Sequence, residues 1–279
     1  MAKIGFIGAG NMAEAIIKGI IDAKVYKSKD IIVSDIRPQR VKFLCNKYKV
    51  TSAGDNCKLA KTAGTIVLSV KPQNMPQVLD EIKGAIGRNI LIVSIAAGIT
   101  TNRIRRTLGN IPVVRVMPNT PALIGQGAAG IYATKKAQGK LKDIKRIFSA
   151  VGIVEEVDNE KLLDVITAVS GSGPAYFFLL MEEMIKSAGK LGLKKDIAEK
   201  LVLQTAKGAG LLAVEAAKKN QTLASLRGRS GPDILRKNVT SPGGTTEAAL
   251  KVFSKHNFEK MVNEALSAAA KRSRQLSGS

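Results

Sequence analysis

The run Lys3-Ile4-Gly5-Phe6-Ile7 passes directly into Gly8-Ala9-Gly10-Asn11-Met12-Ala13, and this junction constrains the fold more than any other stretch. The first five residues read as a short buried strand. From Asn11 to Ala23 the apolar residues Met12, Ile16, Ile17 and Ile20 recur on one helical face. Between them lies G-x-G-x-x-A. Its glycines permit a tight turn and the close approach of a pyrophosphate, which then rests on the amide groups and positive dipole end of the helix. A strand, this turn and a helix in that order predict a dinucleotide site on Ile7, Gly8, Ala9, Gly10, Asn11 and Met12.

The alternation continues. Ile31–Ser34, Thr65–Val70, Ile90–Ser94 and Val113–Met117 read as strands. Helical patterns run from Pro38 to about Tyr48 and from about Met75 to Ala85. After a Gly-rich segment from Gly125 to Gly130 come a helix from about Leu141 to Val151 and a last strand near Ile153 to Val157. Apolar strands alternating with helices predict a mainly parallel sheet covered on both faces. From about Asn159 the strand signal stops. Helices are expected over Lys161–Val169, Ala175–Gly189, Ile197–Ala217 and about Phe258–Gln275. The expected organisation is an α/β domain over 1–158 and an all-α domain over 159–279. Ala- and Gly-rich faces such as Ala206, Gly208, Ala209 and Gly210 suit close helix packing, including packing between subunits.

The net charge of +22 raises nucleic acid as a partner. Residues 1–158 hold 25 basic and 11 acidic side chains, and residues 159–279 hold 19 and 11, so the excess is not concentrated in one segment. Much of it is Lys at helical spacing, with few aromatics for stacking on bases. A solvated surface is the expectation, with no nucleic-acid partner. Met1-Ala2-Lys3 leads into a strand rather than a leader, and no apolar run is read as spanning a bilayer, so no membrane partner is expected. Cys45 and Cys57 form no C-x-x-C pair, which fits a reducing, cytoplasmic setting.

The other end of the chain carries Val239-Thr240-Ser241-Pro242-Gly243-Gly244-Thr245-Thr246-Glu247, opening into a helical pattern. Glycines and hydroxyls at a helix start form a pocket for a small carboxylate or phosphate. Asp35 closes the second strand, where an acid would bond a ribose 2′-hydroxyl and favour NAD; Arg37 and Arg40 follow, and an arginine there favours the 2′-phosphate of NADP. Both residue types are present, and the choice stays open. Val70-Lys71-Pro72 and Ala96-Ala97-Gly98 follow strand ends and could touch the cofactor or be ordinary turns. Met117-Pro118-Asn119-Thr120-Pro121 is a rigid turn after another strand. Ser170-Gly171-Ser172-Gly173-Pro174 interrupts the helical pattern, either as a second helix start at the site or as a simple break. His256 is the sole histidine and reads as a surface turn residue; no His/Cys metal cluster stands out.

Taken together, these motifs resemble the pyrroline-5-carboxylate reductase family over essentially the whole chain. The late Ser-Pro-Gly-Gly-Thr-Thr loop is the specific one. The resemblance implies a Rossmann domain followed by a helical domain that builds a dimer, often assembled into larger rings. It implies reduction of the ring imine of 1-pyrroline-5-carboxylate to L-proline by NADPH or NADH, the last step of proline biosynthesis. It places the substrate carboxylate on Ser241, Gly243, Gly244 and Thr245, the Thr246 hydroxyl at the ring nitrogen, and Ser34, Asn56 and Asn238 at the cofactor. Two departures stand out. Gly231 replaces a usual His before Pro232, which bears on that loop's geometry. Asp35 replaces a residue that is neutral in many members, which bears on NADP preference. A β-hydroxyacid dehydrogenase, the nearest enzyme alternative, would carry a lysine where Phe177 stands. A nucleic-acid-binding module would leave the late loop without a role.

Overall fold

A computed structural model describes residues 3–87, 89–223 and 231–277. The outermost residues of the sequence-derived division, Met1, Ala2, Gly278 and Ser279, lie outside the described residues. Among the described residues eight strands form one sheet: β1 (Ile4–Ile7), β2 (Ile31–Ser34), β3 (Thr51–Ser52), β4 (Thr65–Leu68), β5 (Leu91–Ser94), β6 (Val113–Met117), β7 (Gly127–Ala133) and β8 (Gly152–Glu156). Their spatial order is β3-β2-β1-β4-β5-β6-β7-β8. The first six are mutually parallel, in the doubly wound order of dinucleotide-binding sheets. The sheet is therefore mainly parallel, as its apolar strands predict.

Helices α1 (Asn11–Asp22), α2 (Pro38–Tyr48), α3 (Asn56–Thr62), α4 (Met75–Ile82), α5 (Thr101–Leu108) and α6 (Leu141–Ser149) connect the strands. The period of two along each strand sorts side chains into two cores. Ile4, Phe6, Val33, Val67 and Val93 pack with Ile16, Ile17 and Ile20 of α1 and Phe148 of α6. Ile7, Ile32, Ile66, Leu68 and Ile92 pack with Leu59, Met75, Leu79 and Ile104 on the opposite face. Each fully buried aliphatic or aromatic side chain contributes roughly 1.5–3 kcal/mol. Two such layers hold the sheet without a single tryptophan.

Strand β7 departs from the sequence expectation, which left Gly125 to Gly130 as a Gly-rich segment. The sequence Gly127-Ala128-Ala129-Gly130-Ile131-Tyr132-Ala133 pairs antiparallel to β6 and parallel to β8. Small residues have little intrinsic strand preference. Here they are needed for packing: a Cβ on Gly130 would lie 2.4 Å from Ile166 Cδ1.

Residues Leu162–Ile166 (α7) run through one π-helical turn, Thr167–Gly171, into α8 (Gly173–Lys190). The Ser172 N–H donates to the Thr167 carbonyl at 2.7 Å. The expected break at Ser170–Pro174 is thus a π turn in a continuous helix, not a helix start and not an interruption. As a result, Leu162–Lys190 is by length and composition long and apolar enough to cross a membrane, a stretch that sequence reading had split in two.

Chain contacts divide the molecule into two compact units. One runs to Pro174 and takes back the chain from Leu266; the other is Ala175–Ala265. In the first unit α7 packs on β6 and β7, and Ser273 Oγ donates to Asp164 Oδ1 at 2.6 Å. Nearby, Glu160 accepts from Thr101 N (2.7 Å), Thr101 Oγ1 (2.6 Å) and Arg115 Nη1 (2.9 Å). The Arg115 side chain is 4% exposed. Removing one partner of a buried pair leaves the other charge uncompensated. Glu160→Ala is therefore expected to lower unfolding free energy by about 3 kcal/mol, read as a fall in the urea midpoint. An unchanged midpoint would contradict this role.

The second unit holds most of α8, α9 (Lys195–Leu223), α10 (Pro232–Asn238), α11 (Thr245–Lys255) and the start of α12 (Phe258–Ser277). Its helices expose large apolar side chains, among them Phe177 at 65%, Phe178 at 61% and Leu212 at 55%. An apolar surface of this kind in a folded chain marks an interaction face.

Candidate functional site

The parallel pairing of β2, β1, β4 and β5 aligns their C-terminal ends along one sheet edge. It brings together Ile7–Met12, Ser34–Arg37, Val70–Pro72 and Ala96–Gly98, which the sequence had singled out separately. Gly8 has φ +96°, and a Cβ there would lie 2.8 Å from the Ser69 carbonyl. The loop is pinned from both sides. Gly8 N donates to Ser34 O at 2.8 Å. Ser69 Oγ is placed to donate to Ile7 O (3.0 Å) or Gly8 O (2.5 Å). Ser69 was not foreseen, although it stands directly before Val70-Lys71-Pro72.

The cradle fits a dinucleotide. Its own chain neighbours apart, nothing lies within 4 Å of where a Gly10 Cβ would be, so a pyrophosphate can approach the backbone. Gly10 is the N-cap of α1 and supplies no side-chain cap, which leaves first-turn amides available to an anion. Lys71 and Asn11 are exposed beside it, while Ala96 and Gly98 are buried. Asn56 opens α3, its Nδ2 donating to Glu81 Oε2 at 2.8 Å.

Asp35 is the electrostatic centre of the cradle. Its Oδ2 accepts from Ala9 N at 2.7 Å. Its Oδ1 accepts from Arg37 N (2.9 Å) and Arg37 Nε (3.0 Å). Burial pushes the carboxyl pKa up, but the Arg37 guanidinium and the two backbone N–H groups outweigh it, so the pKa lies below the ordinary value. The anion is thus kept. Arg40 is committed elsewhere: Nε donates to Ala9 O at 2.6 Å, and Nη2 pairs with Glu14. Lys47 and Tyr48 also bond Glu14 at 3.1 and 2.9 Å, stapling α2 to α1.

Two further motifs meet within the same unit. Asn119 is buried at the end of β6; its Nδ2 donates to Ser170 O (3.0 Å) and its Oδ1 accepts from Ala128 N (2.9 Å). The Met117–Pro121 turn therefore holds the π turn. A Cβ on Gly171 would meet Met117 Cε at 2.7 Å, so the two segments are shaped to each other.

In the second unit, the late loop is a compact turn opening α11. Gly244 N donates to Ser241 O at 3.0 Å, with Pro242 second and Gly243 third at φ +72°. Pro followed by a positive-φ glycine is the type II turn pattern. Gly244 is the N-cap of α11 and gives no side-chain cap. The amides of Thr245, Thr246 and Glu247 head the helix without intrahelical acceptors. Thr245 is exposed and Thr246 half-buried. Thr240 Oγ1 donates to Arg236 O at 2.6 Å and so faces back along α10, away from the anion role its hydroxyl suggests in the sequence. Glu247 was also missed: its Oε2 accepts from Gly243 N at 2.8 Å. Its place, three residues after the N-cap, is the signal that could have found it. Asn238 ends α10 and is exposed, and His256 caps the end of α11. No group of three or more potential metal ligands occurs among the described residues.

Comparison with known proteins covers both units. Residues 160–276 match the family model for pyrroline-5-carboxylate reductase dimerisation, and residues 3–98 match that for NADP oxidoreductase, coenzyme F420-dependent. The pyrroline-5-carboxylate reductase of Pseudomonas aeruginosa is 42% identical over 276 residues, covering 98% of this chain and 96% of its own. Among solved structures, the pyrroline-5-carboxylate reductase of Coxiella burnetii aligns with TM-score 0.88 at 39% identity, over 99% of this chain and 98% of that one. The Plasmodium falciparum enzyme, solved with NADP bound, aligns with TM-score 0.84 at 31% identity over 99% and 98%. With a nucleotide cradle on the sheet edge, a glycine–hydroxyl turn at the head of α11, and relatives alike over nearly its full length, the chain belongs to the pyrroline-5-carboxylate reductase family.

Proposed function

We propose that this protein reduces the ring imine of 1-pyrroline-5-carboxylate to L-proline, with NADPH or NADH as hydride donor. The observation that carries the reading is the coexistence of two uncapped helix starts. One, at α1, stands on the edge of a parallel sheet; the other, at α11, is flanked by hydroxyls and a type II turn. The first suits a pyrophosphate and the second a small carboxylate.

The bound cofactor supplies a hydride from its nicotinamide ring. The residues of the cradle, Ile7–Met12 with Ser34, Asn56, Val70–Pro72 and Ala96–Gly98, bind and orient it; a cofactor role for Asn238 rests on the family resemblance alone. The substrate carboxylate takes the free amides of Thr245 and Thr246 together with the Ser241 hydroxyl. Gly243 N is already satisfied by Glu247, so Gly243 and Gly244 act by letting the substrate come close to the backbone. The Thr246 hydroxyl donates to the neutral imine nitrogen, directly or through a water; once that nitrogen is protonated, its N–H donates back to the hydroxyl oxygen or the water. The nitrogen carries a proton from solvent, which makes the carbon a stronger hydride acceptor; the hydride forms the new C–H bond and the C=N π pair ends on nitrogen. No side-chain acid is needed, and most of the rate gain comes from placing two rings in contact.

The position at which a β-hydroxyacid dehydrogenase would carry its lysine holds Phe177, so carbonyl chemistry on a hydroxy acid is disfavoured. The exposed apolar faces of α8 and α9 support association with a second copy through residues 160–276, rather than insertion in lipid. A ring of such dimers, a soluble cytoplasmic setting and a purely solvated role for the surplus lysines complete the reading. The test is direct: purified protein given NADPH and 1-pyrroline-5-carboxylate should oxidise one NADPH per proline formed. Oxidation without proline, or none with either nicotinamide, would overturn it.

A further inference from the structure

We infer that Asp35 sets the choice of nicotinamide and tilts this chain toward NADH, with NADPH accepted at lower affinity. The inference rests on the reductase reading for its kinetic arm only. Its geometry is all within the first unit. An acid at the end of the second strand of a doubly wound sheet stands where the adenosine ribose lies and accepts from its 2′-hydroxyl. A 2′-phosphate brings two negative charges to the same place.

Three observations decide between the attractive and repulsive groups there. First, the Asp35 carboxylate is anchored, not free to swing away. Ala9 N holds Oδ2 at 2.7 Å and Arg37 N holds Oδ1 at 2.9 Å, both by backbone donors. Second, Arg37 is the guanidinium that could greet a 2′-phosphate, and it is already bonded to that carboxylate through Nε at 3.0 Å and Nη2 at 3.2 Å. Its remaining N–H donors could reach a phosphate only with the Asp35 carboxylate beside them, so the guanidinium's charge would be shared between two anions. Third, Arg40 offers no replacement. Its Nε bonds Ala9 O, its Nη2 bonds Glu14, and its guanidinium lies 4.9 Å over the Phe43 ring. The cradle therefore presents a fixed acceptor for a hydroxyl and no uncommitted guanidinium from Arg37 or Arg40 for a phosphate.

The experiment measures equilibrium binding of NAD+ and NADP+ by calorimetry, without substrate, and the ratio of kcat/KM for NADH and NADPH. The wild-type protein should bind NAD+ more tightly than NADP+, by about tenfold, the scale of one lost charge–charge contact. Asp35→Asn keeps an acceptor for Ala9 N–H and removes the charge. It should move both ratios at least about tenfold toward the phosphorylated cofactor. Asp35→Ser should move them the same way, and a general folding defect would lower both affinities without changing their ratio. Arg37→Ala should move the ratios further toward NADH. Tighter NADP+ binding by the wild type, or an unmoved ratio in Asp35→Asn, would overturn the inference. If NAD+ binds as expected but 1-pyrroline-5-carboxylate is not reduced, the reductase reading fails and this assignment stands.

Discussion

Replacing Thr246 by Val should lower kcat for 1-pyrroline-5-carboxylate reduction by about 10²-fold or more, the range for loss of a group that assists a proton or a developing charge. Thr246 is the second residue of α11, half-buried, and follows directly on the type II turn. Valine keeps the shape and β-branching and removes only the hydroxyl, so the helix start should survive. Cofactor binding should be unchanged, because the nucleotide cradle is built from β1, β2, β4 and β5 and their loops. Thr246→Ser, which restores a hydroxyl, should recover most of the rate. Steady-state kinetics of the three proteins, with calorimetric NADP+ binding alongside, checks this. A Val variant with wild-type kcat would remove Thr246 from the chemistry.

The second large effect is at the nucleotide loop, where two glycines two residues apart should fail in different ways. In Gly8→Ala the new methyl would lie 2.8 Å from the Ser69 carbonyl carbon and oxygen, at a backbone φ of +96°. Backbone strain of about 1–3 kcal/mol and overpacking of about 1–3 kcal/mol add to a loss of roughly 2–6 kcal/mol. Against a typical domain stability of about 5–15 kcal/mol, the variant should melt markedly lower. In Gly10→Ala nothing but the chain neighbours lies within 4 Å of the methyl, and φ is −71°, which alanine adopts freely. That variant should keep its melting temperature and still lose cofactor affinity, at least about tenfold, because the methyl occupies the approach of the pyrophosphate. Thermal melts with NADP+ titrations separate the two. Equal stability losses, or unimpaired binding by Gly10→Ala, would contradict the placement of the cofactor.

Much of this architecture is readable without coordinates. Strands β2, β4 and β5 are short runs rich in Ile, Leu and Val, β1 (Ile-Gly-Phe-Ile) and β6 (Val-Val-Arg-Val-Met) are nearly as apolar, and helices α1, α2 and α6 carry apolar residues at helical spacing. Burial on both faces forces that pattern, so local sequence and tertiary structure agree. Strand β7 escaped because Gly127–Gly130 has no such signature; its pairing to β6 and β8 is imposed by neighbours. The π turn escaped for a similar reason. Gly171 and Pro174 suggest a break, whereas the contact with Met117 and the hydrogen bond from Asn119 hold an extra residue in a continuing helix. The candidate site was legible where glycines announce close backbone approach, at Gly8, Gly10 and Gly243. It was not legible where a side chain acts over a long sequence distance, as with Ser69 on Gly8 O, Glu160 on Thr101 or Arg40 on Ala9 O. The commitment of Arg37 to Asp35, on which the inferred nicotinamide preference rests, is likewise a matter of geometry.

The proposed reaction passes a hydride directly from the nicotinamide to the imine carbon. Hydride transfer labelled with deuterium tests it most directly. NADPH or NADH carrying deuterium at the transferring position of nicotinamide C4 should yield proline with one deuterium on the ring carbon next to nitrogen that was the imine carbon, in unlabelled water. Proline that carries no label, or label only when the water is deuterated, would contradict direct transfer.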